Sequence, residues 1–232
     1  MNFDLIINNK YSMNENKIYI PSRPAIPINK KKVEYINVPG RDGSLTKFLG
    51  YDDRTIKIPF NFYESYNMPE RVRKITSILL SAKTITFTDD LEIFYKVKNI
   101  EIEDVERKLK RFASFNISCI LEPFDYLVDG TYKFEILNSK SILNYGTYES
   151  RPIIKVYGQG NIQVSINTHT FQVNNVDEYV IIDSELMRCY KDTVNKGNDM
   201  IGLFPVIDVG ENQITLSSNI TKVEITPNWR FL

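Results

Sequence analysis

Few residues in this 232-residue chain are equipped for chemistry, and their spacing limits what that chemistry could be. His169 is the only histidine, which removes paired-His metal helices, three-His catalytic centres and His-rich zinc sites. A Ser-His-Asp triad would have to run through it. Yet His169 directly follows the tight-turn pair Asn167-Thr168, where nothing buries or orients an imidazole. Asp52-Asp53 and Asp89-Asp90 are adjacent carboxylates; on a strand such neighbours point to opposite faces, and in a turn both are solvated. Glu101 and Glu103 would share a strand face at roughly 6.5 to 7 Å, a separation that suits an inverting glycosidase. Ile100 and Ile102 claim the other face as core, so the two glutamates read as the wet side of an amphipathic strand.

The densest polar stretch is VPGRDGSLTKFLGYDDRTIKIPF, residues 38–60. Gly40 to Gly43 is formally a GxxG, but Pro39 and an alternating strand from Thr55 flank it where a KH loop needs helices. Gly43 is followed by Ser-Leu-Thr-Lys and not by Lys-Ser/Thr, so no Walker A loop is present, and the neighbouring aspartates would repel phosphate. The single tryptophan, Trp229 in PNWRF, reads as core or interface and not as a sugar platform. No catalytic, cofactor or metal residue is therefore expected. What remains is a projecting hairpin of mixed charge. Pro39-Gly40 and Asp42-Gly43 are turn pairs, Gly50 permits a bulge, and Phe48, Leu49 and Tyr51 have no local core to enter.

The elements that position these residues are mostly strands. Alanine occurs three times and isoleucine thirty, and aromatics make up 12%, which favours pleated surfaces over helices. One helix of about four turns is expected over 68–83, with Asn67 as cap and Val72, Ile75, Leu79 and Ala82 on one face. TIKIPFNF, KTITFT, LEIFYKVKNIEIE and RFASFNISCILEP read as strands, with Asp89-Asp90 as a hairpin turn. DVERKLKR, 104–111, fits either a helical turn or a charged hairpin. The Asn/Ser/Tyr-rich segment Glu135–Pro152 reads as a linker, dividing domains at 1–136 and 137–232. Short strands with turn signals after it predict a β-sandwich without helices, whose final strand could return to the first domain.

Formal charge is zero, with 21 basic and 19 acidic residues in 1–136 and 8 against 10 afterwards; neither half is a nucleic-acid-binding body. No apolar run approaches a membrane span and MNFDLIINNKYS has no signal-peptide pattern, so a soluble chain made in the cytoplasm is expected. Cys119 and Cys189 read as buried free thiols.

Several phrases together resemble the distal tail proteins (Dit) of long non-contractile-tailed bacteriophages. These are IPSRPAIPINKKKVEYINVPGRDGSLTKFLGYDDRTIKIPFNF followed by VRKITSILL, then VDEYVIIDSELMRCYKD, then GLFPVIDVGENQITLSSNITKVEITPNWRFL with its G-x-F-P, G-x-N-x-I and closing P-x-W-R. The resemblance spans nearly the whole chain. It implies a mainly β protein with one helix, its N-terminal tail-tube-like β-domain forming a hexameric ring and its C-terminal domain a galectin-like β-sandwich. It further implies a virion tail-tip location and a non-enzymatic role, as a homohexamer or stacked rings. The partners it implies are the tail tube protein and the tail-associated lysin or tail-tip protein, with receptor-binding proteins as further candidates. In such relatives a belt hairpin reaches the next subunit, here 38–54: Phe48, Leu49 and Tyr51 for buried contact, and Arg41, Asp42, Asp52, Asp53 and Arg54 for register. Saccharide binding by the sandwich is the alternative. No inserted carbohydrate-binding segment of about 100 residues lies between Pro152 and Trp229, and a galectin-like fold does not by itself carry sugar binding.

Overall fold

A computed structural model describes residues 3–63, 67–104, 106–109 (backbone only) and 112–232. Among them the protein is mainly β with one α-helix, and it divides into two compact units, Met1–Asp125 and Tyr126–Leu232. No helix of the described residues is long and apolar enough to cross a membrane.

The first unit runs β1 (Leu5–Ile7), β2 (Tyr11–Ser12), β3 (Ile18–Tyr19), β4 (Lys31–Asn37), β5 (Ser44–Tyr51), β6 (Arg54–Tyr63), α1 (Met68–Leu80), β7 (Thr84–Phe87), β8 (Ile93–Ile102), β9 (Glu106–Leu109) and β10 (Phe112–Leu127). The main sheet has the order β2-β1-β7-β8-β10-β6-β3, with β9 also on β10. Its spine is the antiparallel ladder pairing Arg54–Tyr63 with Leu121–Phe112. Period two decides which side chains go in: Ile56, Ile58, Phe60 and Phe62 on β6, and Ala113, Phe115, Ile117, Cys119 and Leu121 on β10, are all buried. Phe60 stacks on Phe115 at 5.3 Å between ring centroids, and Phe62 meets the same ring edge-on at 5.9 Å.

The helix adds Met68, Ile75 and Leu79 to this core, with Val72 and Ala82 packed at its margin. Asn67 accepts from the Glu70 amide at 3.3 Å and donates to its carboxylate at 2.7 Å, a reciprocal N-terminal cap. The helix ends at Leu80 and not at 83. Asn8, itself at φ 54°, takes the Lys83 and Thr84 amides on Oδ1 and donates to the Ser81 carbonyl, which turns the chain out of the helix into β7. Residues 106–109 form a strand antiparallel to β10; positions 105, 110 and 111 of the ambiguous segment lie outside the described residues.

The second unit holds β11 (Phe134–Ile136), β12 (Lys140–Asn144), β13 (Ile153–Gly158), β14 (Gly160–Ile166), β15 (His169–Val176), β16 (Tyr179–Asp183), β17 (Arg188–Lys191), β18 (Val194–Asn195), β19 (Met200–Gly202), β20 (Gly210–Leu216), β21 (Ile220–Thr226) and β22 (Arg230–Phe231). Two sheets, β11-β21-β13-β16-β17-β18 and β12-β20-β14-β15-β19, enclose one core that includes Ile154, Val156, Ile162, Val164, Phe171, Val173, Ile182, Ile214 and Val223. This is a β-sandwich. The Asn/Ser-rich segment expected as a linker supplies β11 and β12, because Ile136 and Ile142 are core residues despite their polar neighbours. The boundary accordingly falls before 126, and Leu127, Phe134 and Ile136 pack with the sandwich.

Two motifs quoted above close the sandwich. In GENQI, Asn212 has no exposed surface and all its polar capacity is used: Oδ1 accepts from Asn167 Nδ2 and the Asp208 amide, both at 2.9 Å, and Nδ2 donates to the Asp208 and Gly210 carbonyls. In PNWR, the Asn228 amide donates to the Gly130 carbonyl while the Trp229 carbonyl accepts from the Leu127 amide. The backbone of Trp229 lies so near Gly130 that a Cβ there would come within 2.6 Å of its nitrogen. Arg230, stripped of water, donates Nε–H to the Glu149 carbonyl at 2.6 Å and lies 5.2 Å from the Tyr148 ring centroid. Asn212→Ala leaves several of those buried backbone groups unmatched and is expected to destabilise the sandwich by about 2 kcal/mol, read by denaturant unfolding.

Candidate assembly interface

The stretch that drew attention in sequence folds as an arm. Among the described residues β4 and β5 pair only with each other, as a two-stranded ribbon outside the main sheet. At its tip Gly40 and Gly43 take φ of 81° and 72°, and the Arg41 amide donates to the Val38 carbonyl. Lower down, Lys32 pairs with Gly50 and Val33 with Phe48, so Leu49 is an extra, unpaired residue; Gly50, at φ 120°, supplies the backbone for that bulge.

Register sorts the side chains into two faces. Val33 and Tyr35 share one with Thr46 and Phe48; Glu34 and Ile36 share the other with Leu45 and Lys47. Tyr35 is 67% exposed, Phe48 49%, Ile36 41% and Leu45 40%, an unusual amount of bare apolar surface for a single ribbon. Of these, Tyr35, Ile36 and Leu45 did not stand out in the sequence. Their strand period was the available signal, but polar neighbours broke it up.

Seven of the eight sequence-derived residues fall into three places along the arm. Arg41 and Asp42 sit at the tip, and Phe48 and Leu49 on the return strand. Tyr51, Asp52 and Asp53 form the root. Tyr51 links Phe48, 5.3 Å away, to Phe124, 5.9 Å away, both edge-on; the Asp52 amide donates to the Lys30 carbonyl; Asp53 pairs with Lys98 at 2.7 Å. Arg54, expected to set register with the next subunit, is only 5% exposed and opens β6. It belongs to the inward phase of Ile56, Ile58 and Phe60, so alternation carries it inside. There its guanidinium bonds Asp125 at 2.5 Å and the Glu122 carbonyl at 3.4 Å and lies 5.5 Å from the Tyr95 ring centroid. Burial, helped by Asp125, pushes the Tyr95 hydroxyl up to about 12.

The groups considered for chemistry are scattered. His169 is exposed at the start of β15, directly after the Asn167 turn. Glu103 accepts from Asn116 at 2.9 Å and lies 3.9 Å from Lys57. Trp229 is buried edge-on to Tyr145, at 6.3 Å between ring centroids. Cys119 and Cys189 are buried and free, their thiols pushed by desolvation to about 12 and about 11. Among the described residues no group of three His, Cys, Asp or Glu side chains could hold a metal.

A charged face on the sandwich also escaped notice in the sequence. The Lys155 ammonium lies 3.8 Å from the Tyr179 ring centroid and 4.7 Å from that of Tyr157. Glu224 accepts from Lys222 at 2.8 Å, Lys133 at 3.1 Å and the Tyr157 hydroxyl at 3.2 Å. The Lys222 hydrogen bond, with Lys133 adding, holds its carboxyl at about 2 against a partial desolvation that opposes it.

Two outcomes follow from these contacts. Arg54→Ala is expected to cost the first unit about 2 kcal/mol, with Arg54→Lys recovering only part because it cannot reproduce the fork, while Arg41→Ala stays within about 0.5 kcal/mol in the same denaturant assay. Glu224 has a folded value below its ordinary 4.5, so its contribution is present above that pH and fades as pH falls toward about 2. Glu224→Gln should therefore show a smaller drop in Tm than the parent chain between those limits.

Residues 10–120 match the phage tail protein RIFT-related domain family. The fold is similar to that of SPP1 Dit, described as a paradigm of hub adsorption apparatus in Gram-positive infecting phages: TM-score 0.74 and 11% identity, over 100% of each chain. It is also similar to a chain of the phage P2 baseplate in its activated conformation, with Ca (TM-score 0.56, 13% identity, 97% of each chain) and with Sr (0.53, 12%, 96%). No curated protein matches the chain in sequence. At such identities the structural likeness carries fold alone, and the domain match concerns residues 10–120. Residues 10–120 thus match a phage tail domain family, and the chain along its full length has a fold similar to that of SPP1 Dit.

Proposed function

We propose that six copies of this chain close into a ring at the virion tail tip. The ring connects the tail tube to the tail-associated lysin or tail-tip proteins and, through them, to the host-adsorption apparatus. The N-terminal unit makes the ring, and the sandwich offers surface to the other tail-tip proteins and to receptor-binding proteins. The chain acts by binding and not by catalysis.

The arm carries this reading. A lone two-stranded ribbon is marginal in water, and this one bares apolar side chains that its own body does not cover. A second surface must supply what is missing. Because arm and acceptor are different parts of the chain, their contact is head-to-tail, the arrangement that closes rings. Phe48 and Leu49 supply buried contact, while Arg41 and Asp42 set register; Tyr51, Asp52 and Asp53 hold the root in place. Saccharide binding by the sandwich is the weaker reading, since Trp229 is in the core and lysines cover the Tyr157–Tyr179 pair.

Light scattering coupled to size exclusion tests this on the full chain, with a mass near six chains, or a multiple for stacked rings, expected. Lys32 and Gly50 pair across the ribbon, so Asn-Gly can replace 33–49 without disturbing the root. That variant should keep the Tm of the body and run as a single chain. Rings of unchanged subunit number from it would reject the arm as the ring contact.

A further inference from the structure

We infer that the arm is covered on both faces at once, each face by another copy of this chain. The inference rests on the arm being the ring contact and goes beyond it in saying how the arm is held. A ribbon laid on one surface needs one apolar face and one wet face. This ribbon does not have them: one face presents Val33, Tyr35 and Phe48, the other Ile36 and Leu45, with the Glu34–Lys47 pair at 3.9 Å beside them. Apolar side chains at opposite cross-strand positions on both faces are the pattern of a strand pair buried on two sides.

At the root Phe124 meets Tyr51, while among the described residues no strand of the body pairs with the distal positions Tyr35/Thr46 and Ile36/Leu45. Charge points to copies of the same chain as the occupants. The arm, 31–51, carries Lys31, Lys32, Arg41 and Lys47 against Glu34 and Asp42, on a chain whose formal charge is zero. The rest of every copy therefore bears the opposite excess, and a basic arm inserted between two such bodies is attracted by both. The two faces differ in shape, aromatic on one and aliphatic on the other, so each selects a different acceptor surface and fixes which way round the arm goes in.

Tyr35 and Ile36 are adjacent in sequence and opposite in facing, which gives a direct test. Tyr35→Cys and Ile36→Cys are each made singly and mixed in small proportion into unlabelled wild-type chain, so that assembly is set by wild-type neighbours. Maleimide labelling is then timed in the assembled fraction and in a nanomolar, dissociated sample. The native thiols are buried and contribute little over that time. Both positions are expected to label about tenfold or more slowly in the assembly, as for side chains reached only through opening. Slowing at one position with free-rate labelling at the other overturns coverage on both faces, and leaves the arm as a one-sided ring contact. Free-rate labelling at both positions, in an assembly or in a chain that stays single at every concentration, overturns this inference together with the arm-mediated ring.

Discussion

The ladder between Arg54–Tyr63 and Phe112–Leu121 is the constraint on which the first unit depends. It is long, antiparallel and without interruption, and its inward side chains form the centre of the core that α1 and β8 complete. It also fixes the arm. The ribbon enters directly at Arg54, so the register of this ladder sets where the arm leaves the body. Because Arg54 is in the inward phase, its guanidinium is delivered to Asp125 and the Glu122 carbonyl on the partner strand. A charge beside a turn thus becomes a buried anchor, for no reason other than the parity of its position.

The sandwich is closed differently, by polar groups that exhaust one another. Asn212 and Asn144 are nearly devoid of solvent contact, yet both bond backbone groups of the loops they hold. A buried amide without partners would cost more than the hydrogen bonds return, so such residues dictate one loop conformation and reject others. The closing PNWR works toward the same end, with Trp229 seated on Gly130 and Arg230 holding the Glu149 carbonyl. Motifs that resemble a signature in the sequence are therefore explained by closure of the fold. Nothing in their geometry calls for a ligand.

The arm differs from these two bodies in having no core of its own. Its backbone geometry is well specified, by the glycines at its tip and by the Gly50 bulge, and its root is tied down by an aromatic contact and an ion pair. Both its faces still carry exposed apolar side chains. Precise backbone and root combined with bare apolar surface is the condition under which binding costs least, because little ordering remains to be done when the partner arrives.

The sequence by itself determined a good deal: mainly β architecture, one helix with its Asn67 cap, the inward phase of TIKIPFNF, the Asn167 turn, two buried thiols, and a hairpin expected over 38–54, which the structure draws as a ribbon spanning 31–51. These are set by local periodicity and turn chemistry, which act over a few residues. The linker reading of 135–152 failed because Ile136 and Ile142 are held in a core by strands far along the chain, and local composition does not record that. Helix α1 stopped short through Asn8, more than seventy residues away. The burial of Arg54 was legible in its parity with Ile56, but its partner Asp125 was not. Which apolar residues of the arm stay exposed, and that they lie on both faces, only the tertiary structure decided, because coverage depends on what the rest of the chain brings near.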